Sequence, residues 1–161
     1  MNVTIIEGDL FDQAADALVN PWNINVMPLW WPSGGVSRQL KKFTGPGPWR
    51  ELRRVGRMST GATVMTGPGE LQGVKAILHV AGLHPWWRAF EHSIRAGIRS
   101  AAEVAVREGL RQVATPLVGA GTGGIPLDLA REWILDELQG RPNDEVTWLV
   151  VVPPPDALAP A

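Results

Sequence analysis

Apolar residues recur along this chain in two rhythms. Short stretches dominated by Val, Ile, Leu and Ala fall at 3–6, 16–20, 76–80, 113–118 and 146–152, and a β-branched stretch falls at 60–66. Such runs predict strands, and the fully apolar ones predict strands covered on both faces. Pro21 is expected to end the second strand, and the Gly67-Pro68-Gly69 turn separates 60–66 from 76–80. Between the runs the period lengthens. Phe90, Ile94, Ile98, Ala101 and Ala105 share one helical face, with Arg88, Glu91, Arg95, Arg99, Glu103 and Arg107 opposite. This spacing predicts a helix over 88–108 closed by Gly109. Shorter helices are expected over 36–43, stopped by Gly45-Pro46-Gly47-Pro48, over 49–55, capped by Gly56, and over 127–138, between Pro126 and Gly140. Residues 23–35 read as irregular, and 153–161, opening on three prolines, as a disordered tail.

Strands that alternate with helices and are apolar on both faces imply a three-layer α/β/α sandwich around a mixed, mostly parallel sheet, in one domain over 1–152. At 161 residues the chain is long enough to bury a core without staples. The sequence contains no cysteine, which removes disulfides, thiol nucleophiles and cysteine-bound zinc. A net charge of −1 argues against a dedicated nucleic-acid coater. The opening residues lack a basic stretch and turn acidic by Glu7, and no apolar run has the length of a membrane span. A cytoplasmic protein with no membrane partner is expected.

The chemistry concentrates in Pro116-Leu117-Val118-Gly119-Ala120-Gly121-Thr122-Gly123-Gly124-Ile125-Pro126. A buried strand opening into a glycine loop and then a helix aims bare backbone N–H groups at one spot beside a positive helix end, which is a site for phosphate. A dinucleotide-binding fingerprint would follow the first strand, whereas this loop follows the penultimate one. A Walker loop would continue with Lys-Ser/Thr, whereas Ile125-Pro126 stand there. A second group lies upstream. Asp9 follows the first strand, Asn20 and Asn23 bracket Pro21-Trp22, and Ser33-Gly34-Gly35-Val36-Ser37 leads into a helix. Strand ends on one sheet edge would gather both groups around a single crevice.

The series Gly8-Asp9-Leu10, Ala17 to Asn23, Gly34-Gly35-Val36, Ile77 to Gly82 and Pro116 to Pro126 resembles the macrodomain family over nearly the whole chain. The resemblance implies an ADP-ribose-binding module. In it Asp9 would hold the adenine amino group, with Leu10 beside the base, and Asn20 and Asn23 would reach the distal ribose. Gly34, Gly35, Val36 and Ser37 would form one diphosphate loop. Val118, Gly119, Ala120, Gly121, Thr122, Gly123, Gly124 and Ile125 would form the other, and Val152 would lie near the adenine. The chain departs from the family pattern in places. Ser37 stands where hydrolytic members carry an aspartate. Lys41 or Lys42 lies near the place of a lysine nucleophile, but Gly123 replaces its acidic partner. Thr122-Gly123 lack the aromatic that often packs on the distal ribose, and Val152-Pro153 lack the one that stacks on adenine.

The implied activity is hydrolysis at the distal ribose of an ADP-ribose derivative: a mono-ADP-ribosyl bond, an O-acetyl ester or a terminal phosphate. Asn20 and Asn23 would position the sugar, Ser37 would bond a phosphate oxygen, and Lys41 is the outside candidate for covalent chemistry. No cofactor or metal is expected. The partner would be ADP-ribose or an ADP-ribosylated protein or nucleic acid, with oligomeric state left open. A reader with the same pocket and no turnover is the alternative, and a nucleotide-sensing interaction protein is a third. Eight tryptophans with no tyrosine mark Trp22, Trp30 and Trp31, and after them the loop pair Trp86-Trp87, as candidate pocket walls that would stack on base or ribose, against the simpler reading of loops anchored on the core or a dimer contact. His79, His84 and His92 share no carboxylate motif, so packing or loop hydrogen bonds are expected of them rather than a metal. Arg38, Lys41, Lys42, Arg50, Arg53, Arg54 and Arg57 surround one Glu51, either as a solvated face or as a guide for an anionic substrate.

Overall fold

A computed structural model describes residues 1–24, 34–142 and 145–154. The predicted tail beyond 154 and the Trp30-Trp31 pair lie outside the described residues. Six strands form one sheet in the order β1-β6-β5-β2-β4-β3: β1 Asn2–Glu7, β2 Ala17–Asn23, β3 Thr63–Thr66, β4 Ala76–Leu83, β5 Gln112–Pro116 and β6 Thr147–Val152. All neighbours pair in parallel except β3, which runs antiparallel to β4 at the edge. Helices α1 Gly35–Thr44 and α2 Gly47–Val55 cover one face, and α3 Glu91–Arg107 and α4 Leu127–Gln139 cover the other. This is the expected α/β/α sandwich.

The strand runs are apolar throughout because alternate residues serve two cores. Ala17, Val19, Leu78, Val80, Trp148 and Val150 face α3 and α4. Leu18, Trp22, Ile77, Ala81, Leu149 and Val151 face α1 and α2. Ile94, Ile98, Ala101 and Ala105 of α3 are all fully buried, as their spacing requires. At the amino ends of the strands Asp16 fastens three of them. Its backbone N–H donates to Gln112 O, and its carbonyl accepts from Lys75 and Ala76. Its carboxylate pairs with Lys75 at 2.7 Å and accepts the Arg111 N–H. The hydrogen bond from Lys75 leads the interactions that hold the Asp16 carboxyl below its ordinary range.

Several boundaries move for physical reasons. β2 continues through Pro21 to Asn23, because its pairing with β5 ends at Leu18 and leaves an edge that tolerates a missing N–H. α3 begins at Glu91 rather than Arg88, because 84–88 form a tight turn. Phe90, expected on the buried face, flanks the helix 43% exposed and lies edge-on to His84 at 4.8 Å. Gly47 and Pro48 belong to the first turn of α2 rather than to a stop. β3 starts only at Thr63, after a turn at Gly61, and β5 ends at Pro116. Among the described residues no helix is long and apolar enough to cross a membrane.

Candidate functional site

Parallel strands bring their carboxyl ends to one edge, and the chain leaves the sheet there through loops that part to either side. A cleft runs along this edge in two connected parts. One, of about 420 Å³, lies among Asp9, Leu10, Phe11, Gln39, Leu127, Val151, Pro153 and Pro154. The other, of about 130 Å³, lies among Trp22, Gly34, Gly35, Ser37, Leu83, Trp87, Thr122 and Gly123. Val36, Pro116, Leu117 and Gly121 border both parts and make them continuous.

Each wall follows from local sequence. After β1 the chain turns at Gly8, and Asp9 Oδ1 accepts the Phe11 N–H at 2.9 Å, capping a short 3-10 turn, Leu10–Asp12. The cap fixes an exposed carboxylate at the rim. Gly34 and Gly35 open α1, whose first N–H groups have no intrahelical acceptor and lie at the positive end of the helix. After β5 the second loop folds on itself: Ala120 N–H donates to Leu117 O, Gly124 to Gly121 O and Ile125 to Gly119 O, each at 3.1 Å. Gly121, Thr122 and Gly123 make no such backbone bond through their N–H groups among the described residues. The two loops meet across the cleft, where a Cβ built on Gly34 would stand 3.0 Å from Thr122 Oγ1.

The glycines of the second loop differ in what they need. Gly119 has φ +89, and a side chain there would strike Ile94. Gly121 has no positive φ, and a Cβ on it would meet nothing within 4 Å. The fold itself does not require glycine at 121; what a side chain there would fill is the cleft.

Beneath the smaller part runs a buried polar chain. Ser37 Oγ donates to Asn20 Oδ1 at 2.7 Å and approaches Pro21 O at 3.1 Å. Asn20 Nδ2 lies 2.9 Å from His79 Nδ1, its register partner on β4, and His79 Nε2 lies 2.9 Å from Thr66 Oγ1. The amide nitrogen can only donate to that Nδ1, so with Asn20 Oδ1 accepting from Ser37 this network assigns the proton to Nε2. Burial pushes the His79 imidazole down to about 3, so it is neutral at physiological pH. Lys41 stands outside the cleft lining, its ammonium 5.8 Å from the Trp22 ring centroid and 5.4 Å from that of Trp49, and burial lowers its pKa.

Of the residues expected from sequence, Asp9, Leu10, Gly34, Gly35, Val36, Ser37, Gly119, Ala120, Gly121, Thr122 and Gly123 line the cleft. Others do not. Asn20 and Asn23 are fully buried, with Asn20 engaged by Ser37 and His79. Val118 is fully buried in the core under α3, and Ile125 packs against that core. Gly124 is outside the lining. Val152 also packs on the α3–α4 side, because strand alternation hands the cleft wall to Val151 and then Pro153. Two aromatic walls complete the lining, Phe11, which the sequence reading lacks, and Trp87, one of the loop tryptophans it offers as a wall. Phe11 immediately follows the Asp9 motif, a signal that was available. Trp87 reaches the cleft only through the turn after β4. Among the described residues no group of three metal-ligating side chains occurs. Arg50, Arg53, Arg54 and Arg57 are exposed on and just beyond α2, away from the cleft lining.

Known proteins share this architecture. The chain is similar to a Macro domain-containing protein of Listeria monocytogenes, 30% identical over 140 residues that cover 82% of this chain and 76% of that protein. It is also 30% identical to the O-acetyl-ADP-ribose deacetylase of Salmonella gallinarum over 136 residues, 80% of this chain and 72% of that protein. In structure it resembles a glycine-to-valine variant of the Oceanobacillus iheyensis macrodomain with ADPR. The TM-score is 0.80 at 21% identity, covering 93% of this chain and 84% of that one. The family model described as Macro domain matches residues 19–134, a span that takes in α1 and both glycine loops flanking the cleft. The chain thus belongs to the macro domain family.

Proposed function

We propose that the chain binds ADP-ribose along this cleft and hydrolyses a bond at its distal ribose. The observation that carries the binding reading is Gly121: an unstrained glycine, open to the cleft and facing the amino end of α1, where only close approach of a ligand calls for the absence of a side chain. Unpaired amides on both sides suit a diphosphate there. The larger part then takes adenine, with Asp9 accepting from its amino group and Leu10, Phe11 and Pro153 burying its faces. The smaller part takes the distal ribose beside Ser37.

Hydrolysis at C1″ breaks the bond to the carrier while water adds its oxygen to that carbon. A diphosphate oxygen takes the water's proton and passes it to the leaving group. Because the Ser37 hydroxyl is committed to Asn20, Ser37 acts as an acceptor that orients ligand or water rather than as a proton donor. Asn20 is then a positioning residue beneath it. Relatives named O-acetyl-ADP-ribose deacetylase support turnover. A second reading, a reader without turnover, is favoured by one observation: among the described residues no carboxylate, histidine or lysine lines the smaller part of the cleft.

Incubation with ADP-ribosylated protein, ADP-ribosylated DNA and O-acetyl-ADP-ribose separates the readings. Release of ADP-ribose from any of them supports hydrolysis. Tight ADP-ribose binding with no product from all three leaves the reader, and absence of ADP-ribose binding removes both.

A further inference from the structure

The two tryptophans after β4 have opposite surroundings. Trp86 is 85% exposed, whereas Trp87 is half-buried, packs against the core under α3 and lines the smaller part of the cleft with Trp22 and Leu83. Trp87 has φ 62, the only positive φ of a non-glycine among the described residues. The turn is held by His84 N–H donating to Arg88 O and Trp87 N–H donating to His84 O, both at 2.8 Å, and by a bridge between Leu83 and Ala89. A bulky side chain is disfavoured in this left-handed conformation, which glycine or asparagine adopts readily. A tryptophan held there beside a cavity points to a use for its ring.

The same turn is joined to the second glycine loop. Ala89 N–H donates to Gly123 O at 3.1 Å. A Cβ on Gly123 would stand 2.7 Å from the Ala89 Cβ and would overlap the Gly119 carbonyl. The loop therefore cannot project a side chain from 123 into the cavity, and Trp87 supplies an aromatic surface at that end. Ser37 and Thr122 line the same cavity and bring hydroxyl groups. An apolar ring on one side and hydroxyls on others fit a group with an apolar C–H face and a polar edge, which describes a sugar.

We infer that Trp87 is a specificity-determining residue whose ring packs against the sugar beyond the diphosphate, so that the cleft discriminates ADP-ribose from ADP. This rests on the ADP-ribose reading above. ADP ends at the β-phosphate and leaves the ring untouched; ADP-ribose continues onto it.

Calorimetry with the full chain, using ADP-ribose and ADP as titrants, tests this on wild type, Trp87→Gly and Trp87→Phe. Glycine accepts the turn's backbone while deleting the ring, and phenylalanine retains a smaller ring. Trp87→Gly is expected to weaken ADP-ribose about tenfold or more while ADP stays within about twofold, and Trp87→Phe to recover most of the ADP-ribose loss. Should the glycine variant not fold, Trp87→Asn, also tolerant of the turn, carries the same expectation. Equal losses for both nucleotides, or no loss for either, overturn the role of Trp87 while leaving the binding reading in place. Wild type that binds neither nucleotide overturns the binding reading and this inference with it.

Discussion

The two ends of the cleft are built differently. The Asp9 end, of about 420 Å³, is walled mostly by apolar groups, Leu10, Phe11, Leu127, Val151 and Pro153, with the Asp9 carboxylate at the rim. The Trp87 end, of about 130 Å³, is walled by glycine backbone, Trp22 and Trp87, and stands on the buried Ser37–Asn20–His79–Thr66 chain. The first end suits a flat apolar ring, whose affinity comes from burial with a single polar group to choose among rings. The second suits a polar group placed by backbone and buried hydrogen bonds, where affinity depends on how firmly those groups are held. Variants at the two ends should therefore part: one set weakening every adenine nucleotide alike, the other only those that extend past the diphosphate.

The largest effect is expected where the ends meet. Gly121→Glu puts bulk and negative charge between the loops and should weaken both ADP-ribose and ADP by on the order of 100-fold, about 2.7 kcal/mol. The open space around Gly121 means the variant should fold with an unchanged Tm. Calorimetry that still gives wild-type affinity for ADP would remove the diphosphate from this position. Asn20→Ala comes next, because it strips partners from Ser37 and from buried His79 at once. A loss of about 2–3 kcal/mol in urea unfolding is expected, with ADP-ribose weakened more than ADP. Equal weakening of the two would mean that the buried chain does not serve the Trp87 end.

Asp9→Ala should cost about tenfold, ~1.4 kcal/mol, for AMP, ADP and ADP-ribose alike. A loss confined to ADP-ribose would reverse the assignment of the ends.

Acid should tax the buried chain beneath the Trp87 end. His79 in the folded protein resists protonation down to about 3, whereas in the unfolded chain it protonates below about 6.5. The unfolded state thus binds the extra proton, and this contribution to stability is lost as pH falls from 6.5 toward 3, by up to about 1.4 kcal/mol per pH unit. Urea unfolding of wild type and His79→Gln at pH 7 and pH 5 should show a steeper decline in wild type. Parallel declines would place the acid sensitivity elsewhere. The smallest effect is expected outside both ends: reversing Arg53 and Arg54 to glutamate should change free ADP-ribose affinity by less than about twofold at physiological salt.

The Asp9 end was legible from sequence because its residues are close neighbours along the chain: a strand, a glycine turn, an aspartate and a leucine. The second glycine loop was legible for the same reason, since strand, loop and helix are continuous from 113 to 138. Side-chain direction is less legible, because it depends on register with strands distant in sequence. Asn20 is expected at a strand end, but β2 runs on to Asn23 and the pleat turns Asn20 toward His79 and α1 rather than into the cleft. Val152 was expected to lie near the adenine, yet one residue of register sends it to the opposite core and leaves the wall to its neighbours. Phe90 follows the helical period and is still half exposed, because the turn before it delays the helix to Glu91.

By itself the amino-acid sequence determined the sandwich, the sheet edge that carries the cleft and the two glycine loops, because periodicity and turn chemistry act within a few residues. Packing across the fold set the rest: that Trp87 rather than Trp86 faces the cleft, that Gly121 is open while Gly123 is closed off by Ala89, and that Ser37 is tied through Asn20 and His79 to Thr66. Those relations join residues far apart in the chain, and strand register and packing set them.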